Sequence, residues 1–360
     1  MDNRIAVVAG GSAGVGRAIV TQMLDRGWRV AVLARGKERL DQIADAYGDR
    51  VLTRTCNVAE DAQVAKAADE IVAHWGKPDV WVNCAMLTSF SPFHEVDEAE
   101  FQKITATTYF GQVNGCRQAL RVMERGNVVN VGSGLAYRPV PLQAAYCGAK
   151  HAINGFTGAL RSELIHQGRP IELSLVQLPA INTPQFDWAR NRMEVKPQPA
   201  PPIFQPEVAA KAILKAIDDN AREVLVGRSV LQLLFGNMLF PDLLDGMLAD
   251  DGIEAQKSEQ KDWGRADNLD GPVTDYPAKA HGSFDHKAEE SGITVDADAT
   301  RKAVALGGAA LLLGLGALLG RSTASRRMAP PRRDDVAMQD DRRPWGYDRP
   351  ALGGSEPVRH

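Results

Sequence analysis

Residues 5–20 read IAVVAGGSAGVGRAIV, a short apolar run that enters a glycine-rich turn and leaves it as a helical pattern. Gly10, Gly14 and Gly16 occupy the turn with the spacing G-x-x-x-G-x-G. Glycine permits a positive φ and lets the backbone approach a ligand closely. The helix that follows offers unpaired N–H groups and the positive end of its dipole, both of which favour a pyrophosphate. The stretch therefore predicts a nucleotide phosphate site, with a flexible turn that binds nothing as the alternative.

The same strand–turn–helix plan continues as far as about residue 227. Several of the apolar runs lack the alternation of a half-exposed strand, as expected for parallel strands covered by helices on both faces. Strands and helices that alternate in this way predict an α/β protein with a doubly wound, Rossmann-like parallel sheet. An apolar stretch at 228–248 is predicted to be helical and completes a single main domain over residues 1–248. The predicted strands are 5–9, 29–34, 51–56, 79–83, 127–132, 171–178 and 223–227.

Charge and cysteine content exclude several classes of function. The 360 residues carry a formal net charge of -3, whereas a nucleic-acid binder needs a basic field. The four cysteines are scattered, without a CxxC pair or a histidine cluster, so we expect neither a metal site nor a disulfide framework. Because no signal peptide precedes the first strand, we expect a cytoplasmic protein.

The chain changes character beyond the main domain. Residues 249–300 are polar and aperiodic and are predicted to form a linker. Residues 301–321 contain an uncharged run, 303–320, which predicts a hydrophobic helix and a membrane contact. The alternative is an apolar helix that packs on a partner or in a core. The Arg-, Asp- and Pro-rich residues 322–360 are predicted to be disordered.

The end of the second predicted strand bears on the choice of nucleotide. An acidic residue there would bind the ribose hydroxyls of NAD, but the sequence has Arg35 after Ala34. An arginine can bind a 2′-phosphate, with Lys37 as a second cation and Ser12 as a hydrogen-bond donor. NADP(H) is therefore predicted over NAD(H), unless Arg35 is simply a solvated loop residue.

A second group of residues predicts acid–base chemistry. Tyr146 and Lys150 stand one helical turn apart in YCGAK, and Ser133 follows the predicted fifth strand. A lysine on the same helix face is expected to lower the pKa of the phenol. The Ser133 hydroxyl is expected to bind a substrate carbonyl oxygen together with Tyr146.

With these motifs, residues 1–227 resemble the short-chain dehydrogenase/reductase family. The resemblance rests on AGGSAGVG, on NVGS followed thirteen residues later by YCGAK, on NCAM at 83–86, on CNV at 56–58 and on LPAINTP at 178–184. It implies Ser133, Tyr146 and Lys150 as catalytic residues, with Thr108 at the position of a family asparagine that helps to hold a relay water. The implied cofactor-binding residues are Gly10, Ser12, Gly14, Val15, Gly16, Arg35, Asn57, Val58, Asn83, Tyr146, Lys150, Pro179 and Thr183.

The resemblance also implies a function. We expect an NADP(H)-dependent oxidoreductase that moves hydride between nicotinamide and a small carbonyl or alcohol, with Tyr146 as general acid/base. It implies a homodimer or homotetramer as well. The alternatives are a non-catalytic NADP-binding or membrane-scaffold protein that retains the fold, or an acyl-chain ketoreductase.

The segment after the sixth predicted strand corresponds to the family's substrate lid. Phe186, Trp188 and Phe204 are candidates for contact with an apolar substrate, and Arg190 and Arg192 for contact with an anion. The alternative is that the aromatic residues only anchor the loop to the core.

Overall fold

The first strand sets the pattern of the domain. In the computed structural model, which describes residues 3–300 and 302, all five residues of β1 are buried. An apolar strand without alternation is stable only when both faces of its sheet are covered. The seven predicted strands are confirmed to within one residue at each end, and an eighth joins them from the C-terminal region. The strands of this sheet are β1 Ile5–Ala9, β2 Arg29–Ala34, β3 Val51–Thr55, β4 Val80–Asn83, β5 Gly126–Val131, β6 Ile171–Gln177, β7 Glu223–Val226 and β8 Thr294–Asp296.

The order of the strands determines where a ligand can bind. The order is β8-β7-β6-β5-β4-β1-β2-β3, and every pairing is parallel except that of β7 with β8. The chain runs outward from β1 through β2 to β3 and then returns to the other side of β1 with β4. In such sheets the crevice outside the carboxyl ends of the strands, at this reversal, is the usual binding site. The predicted doubly wound, Rossmann-like fold is confirmed.

Helices cover both faces of the sheet. On one face, side chains of α1, α2 and α7 form a core with alternate residues of the strands, and on the other face α3, α5 and α6 do the same. A π-helical turn, Ala106–Phe110, lies between α4 and α5. A single helical turn, Gln185–Trp188, lies in the segment after β6. The longer α-helices of the described residues are α1 Gly14–Asp25, α2 Lys37–Tyr47, α3 Asp61–Trp75, α4 Glu98–Thr105, α5 Gly111–Val122, α6 Ala144–His166, α7 Pro206–Asp218, α8 Gly227–Leu239 and α9 Pro241–Glu254.

Residues 249–300, predicted to be a linker, are instead packed on the domain. Helix α9 continues to Glu254, and Lys257–Lys261 pairs with Val195–Pro197. Farther on, β8 pairs with β7 at the edge of the main sheet. The polar composition concealed this packing because many of the side chains form ion pairs or hydrogen bonds at the surface. A few buried apolar residues hold the segment to the domain, namely Leu269, Phe284 and Ala297.

Helices long and apolar enough to cross a bilayer do not occur among residues 3–300 and 302. Except for Lys302, the hydrophobic helix predicted at 301–321 and the tail predicted at 322–360 lie outside the described residues. The same described part of the chain contains no group of side chains suited to a metal ion.

Candidate active site

A cavity of about 600 Å³ opens at the carboxyl ends of the strands, at the reversal between β1 and β4. Its floor is formed by the glycine turn and the ends of β2, β4 and β5. Its outer part is covered by α8, α9 and residues of the 178–188 segment. The cavity therefore extends from the glycine turn to Tyr146 and beyond it to an apolar roof.

The glycines of the first turn are required by close packing. Gly10 has a φ of +86°, and a Cβ on it would lie 2.6 Å from the backbone of Ala85. A Cβ on Gly16 would lie 2.1 Å from the carbonyl oxygen of Gly10. The backbone therefore leaves no room for a side chain at either position, and only glycine lets the N-terminus of α1 lie so close to the end of β1. The first three residues of the helix, Gly14, Val15 and Gly16, then line the cavity, where the positive end of the helix dipole favours a phosphate.

Most of the predicted site residues meet at this cavity. Two of them do not, Asn83 and Thr108. Those that line it are Gly10, Ser12, Gly14, Val15, Gly16, Arg35, Asn57, Val58, Ser133, Tyr146, Lys150, Pro179 and Thr183.

Asn83 and Thr108 lie behind the cavity wall. The Asn83 amide accepts a hydrogen bond from the indole of Trp81 and donates one to Asn130, so it joins β4 to β5. The Thr108 hydroxyl donates to the carbonyl oxygen of Leu87 at 2.9 Å and accepts from its N–H at 3.0 Å. The only proton of that hydroxyl is thereby used, and Thr108 is 0% exposed. The sequence predicts that Asn83 contacts the cofactor and that Thr108 is a relay residue; the structure instead gives both side chains contacts within the fold.

Ser133, Tyr146 and Lys150 converge as predicted. Ser133 follows β5, where its Oγ accepts from the N–H of Leu135 at 3.1 Å. Tyr146 and Lys150 lie in the first two turns of α6, and the Lys150 Nζ stands 5.5 Å from the centre of the Tyr146 ring. Lys150 is 2% exposed, and its Nζ donates to the carbonyl oxygen of Val131 at 2.6 Å.

The protonation of this pair differs from the expectation. Burial raises the pKa of Tyr146 well above its usual value, and hydrogen bonding to Ser133 only partly offsets that effect. Burial also lowers the pKa of Lys150 to about 8. Both shifts have the same cause, since a poorly solvated site disfavours the charged form of either group. The phenol is therefore neutral at physiological pH, the state of a proton donor rather than of a base.

Two arginines stand together at the end of the cavity nearest β2. Arg35 follows β2 and Arg39 lies in the first turn of α2. Burial lowers the pKa of both guanidinium groups, and the charge of Arg39 further lowers that of Arg35. Arg39 is 7% exposed, and its Nε has no hydrogen-bond partner among the described residues. The sequence prediction missed Arg39 and named Lys37, which is exposed and pairs with Asp41 at 2.5 Å. The signal available was a second arginine four residues after Arg35, at the start of the predicted second helix.

A segment of the C-terminal region closes this end of the cavity. We call residues 262–282 the strap. Arg35 donates to the carbonyl oxygens of Asn268 at 2.6 Å and Leu269 at 3.4 Å. The N–H of Gly14 in the glycine turn donates to the carbonyl oxygen of Lys279 at 3.1 Å. Sequence patterns gave no sign of the strap at this end of the cavity because its contacts with Arg35 and Gly14 use backbone carbonyl groups, which every residue carries.

The lid residues divide into two groups. Phe186 and Trp188 line the cavity, whereas Phe204 is buried against Gly227. Arg190 and Arg192 are not available to an anion: both contact the buried Glu100, and Arg190 also pairs with Asp267 and Asp270 of the strap. The expectation of an anion site in the lid is therefore wrong.

Comparison with known proteins identifies the family. The family model described as short chain dehydrogenase matches residues 4–194, more than half of the chain. The chain belongs to the short-chain dehydrogenase/reductase family.

Relatives within this family cover much of the chain. It is 26% identical over 268 residues to the uncharacterized oxidoreductase YxnA of Bacillus subtilis, over 72% of this chain and 75% of that protein. It is 32% identical over 220 residues to the 2-(R)-hydroxypropyl-CoM dehydrogenase of Xanthobacter autotrophicus, over 58% of this chain and 87% of that protein. A solved short-chain dehydrogenase from Streptomyces avermitilis has a TM-score of 0.58 at 25% identity and covers 70% of this chain and 98% of its own.

A further solved member, from Burkholderia phymatum in complex with NAD, has the same TM-score at 20% identity and supports the fold alone. As a short-chain dehydrogenase/reductase, the chain is an oxidoreductase that acts on CH–OH or C=O groups with a nicotinamide cofactor. The residues present fit such a cofactor, because a tightly packed glycine turn stands at one part of the cavity and two guanidinium groups at another.

Proposed function

We propose that the protein is an NADP(H)-dependent oxidoreductase that interconverts an apolar carbonyl compound and its alcohol, with Tyr146 as the proton donor. The observation that carries the proposal is the convergence of Ser133, Tyr146 and Lys150 on one cavity, at the same carboxyl-end edge of the sheet as the glycine turn.

The roles of these side chains follow from their chemistry. When bound, the cofactor supplies the hydride that reaches the carbonyl carbon. The neutral phenol of Tyr146 donates its proton to the carbonyl oxygen, so that hydride and proton together yield the alcohol. The Ser133 hydroxyl donates a hydrogen bond to the same oxygen and fixes its position. The Lys150 ammonium, held by the Val131 carbonyl, supplies a positive charge that stabilises the phenolate left behind.

The preference for NADP(H) is supported by Arg35 and Arg39. Two neighbouring cations whose pKa values are both lowered by burial are stabilised by an anion between them. The unpartnered Nε of Arg39 adds a donor to this pair. A 2′-phosphate is the group by which NADP(H) differs from NAD(H), and it has the charge and acceptors that these donors need.

The apolar substrate is supported by the outer part of the cavity. Leu233 of α8 and Leu244, Met247 and Leu248 of α9 line this part. The lid contributes no unpaired cation, since Arg190 and Arg192 are both paired with carboxylates. This arrangement favours an uncharged, apolar carbonyl compound over a substrate whose recognition depends on an anionic carrier.

The test of the function is Tyr146→Phe, with Tyr109→Phe as the control. Tyr109 contacts Phe110 and Phe156 and lies outside the cavity. We expect Tyr146→Phe to lower kcat for NADPH-dependent ketone reduction about 100-fold or more, the usual contribution of a general acid. The affinity for NADPH, measured by fluorescence titration, should be retained in both variants. A wild-type protein that binds NADPH and reduces no member of a broad ketone panel would favour the non-catalytic alternative instead.

Assembly and location remain proposals based on the sequence. We propose a homodimer or homotetramer, whose number of subunits light scattering on the purified protein measures. We also propose that the protein acts in the cytoplasm, which fractionation of cells tests. The run 303–320 supports attachment to a membrane, and its test is fractionation of cells that produce either the full chain or a chain ending at Ala299. Equal recovery of both chains in the membrane-free fraction would contradict the attachment.

A further inference from the structure

The family resemblance gives position 108 the task of helping to hold a water in a proton relay to Lys150. Thr108 does not perform it, because its hydroxyl donates to and accepts from the backbone of Leu87. The π-helical turn that contains Thr108 leads directly into α5, whose second residue is Gln112. The question is whether Gln112 performs the task instead.

Gln112 and Lys150 meet at one atom. The Nε2 of Gln112 donates to the carbonyl oxygen of Val131 at 2.9 Å, and the Nζ of Lys150 donates to the same oxygen at 2.6 Å. Val131 is the last residue of β5 and lines the cavity. The side-chain amide is therefore a close neighbour of the ammonium, on the side where α5 packs.

The oxygen of that amide is unused. Gln112 is 1% exposed, and its Oε1 has no hydrogen-bond partner among the described residues. Leaving a buried acceptor without a partner costs its full desolvation, so such an atom normally has a partner or a function. An ammonium group offers three donors, and only one is used by Val131.

We propose that Gln112 is a positioning residue for Lys150: its Oε1 accepts a hydrogen bond from the Lys150 ammonium, directly or through one water, and keeps the lysine charged during turnover. This role rests on the proposed function, because it matters only if Lys150 supports proton transfer at Tyr146. In this proposal Gln112, one helical turn after Thr108, provides the contact to Lys150 in place of the relay that the resemblance implied for position 108.

The experiment measures the titration of Lys150 in proteins that carry 13Cε-labelled lysine, with the resonance assigned from Lys150→Arg. The variants are Gln112→Met, which removes the acceptor at similar size, and Gln112→Glu, which keeps an acceptor and adds charge. The control is Gln118→Met on the same helix. Gln118 is also buried, but it binds Asp61 and Arg121 away from the cavity.

An acceptor beside an ammonium favours the charged form, so its removal lowers the lysine pKa. We expect the pKa of Lys150 to fall by about half a unit to one unit in Gln112→Met and to rise in Gln112→Glu. Gln118→Met should leave it unchanged. The other titratable groups that face Lys150 are Tyr146 and Cys84, whose pKa values burial raises, so both stay neutral near the pH where Lys150 titrates.

The pH at which kcat falls on the alkaline side should be lower in Gln112→Met than in the wild type and higher in Gln112→Glu. The KM for NADPH should change by less than about twofold. Equal pKa values for Lys150 in wild type, Gln112→Met and Gln112→Glu would overturn the proposal, as would an equal shift in Gln118→Met. If Gln112→Met does not fold, an unchanged pKa of Lys150 in Gln112→Glu overturns the proposal, because a carboxylate at the contact must raise that pKa. The titration needs no turnover, so an inactive wild type would contradict the proposed function while the order of pKa values still tests Gln112.

Discussion

Replacing Arg35 by Gln should change the choice of cofactor. Arg35 uses two of its N–H groups on the carbonyl oxygens of Asn268 and Leu269, and it lines the cavity beside Arg39. A hydrogen bond to a charged partner contributes about 1.5–3 kcal/mol. Loss of one such bond to a 2′-phosphate corresponds to an increase of about 10- to 150-fold in the Kd for NADPH. NADH lacks that phosphate, so its Kd should change little.

The assay is fluorescence titration of both reduced cofactors against each variant. Glutamine keeps an amide donor toward the strap, so Arg35→Gln removes the charge with a smaller effect on the fold than a change to an apolar residue. Lys37→Gln is the matched control, because Lys37 is a nearby cation that is exposed and pairs with Asp41. We expect the control to change both Kd values by less than about twofold.

A parallel loss of affinity for NADPH and NADH would refute the reasoning. That result would mean that Arg35 acts by holding the strap through Asn268 and Leu269, and that it does not recognise a phosphate. An unchanged Kd for NADPH in Arg35→Gln would refute it equally, and would direct attention to Arg39.

Two further predictions concern buried groups. Burial lowers the pKa of Lys150 from 10.5 to about 8, so the unfolded chain binds more protons between these values. Relative to Lys150→Met, the wild type should therefore gain stability to urea as the pH rises from about 8 to 10.5; a constant difference between the two proteins would contradict this. Leu269 of the strap is buried against Leu87, Ile104 and Tyr146. Leu269→Ala should lower the free energy of unfolding by about 2–5 kcal/mol, whereas the exposed Ile293→Ala should change it by less than about 0.5 kcal/mol; equal effects would mean that the strap is not anchored there.

Local sequence patterns were sufficient for the sheet and for most of the cavity wall. Apolar runs of strand length predicted the seven parallel strands because a buried parallel strand must be apolar on both faces. The glycine turn was predictable because only glycine fits where Gly10 meets Ala85 and Gly16 meets Gly10. Tyr146 and Lys150 were predictable as neighbours because residues four apart share a helix face.

The packing of the strap on the domain could not be predicted from local sequence patterns. Its contacts with Arg35 and Gly14 run through the carbonyl groups of Asn268, Leu269 and Lys279, which leave no trace in side-chain chemistry. A polar, aperiodic composition was therefore interpreted as a linker, although a few apolar residues such as Leu269 are enough to anchor it.

The sequence by itself determined the fold class, the family and the residues Ser133, Tyr146 and Lys150, because each depends on periodicity or on short spacings along the chain. Tertiary structure alone decided the protonation of Tyr146, since burial is a property of the packed site. It also decided that the Thr108 hydroxyl forms a hydrogen bond to the backbone of Leu87, and that Gln112 and Lys150 donate hydrogen bonds to the same carbonyl oxygen of Val131. Those contacts join residues far apart in sequence, and only the packing of α5 and α6 against β5 brings them together.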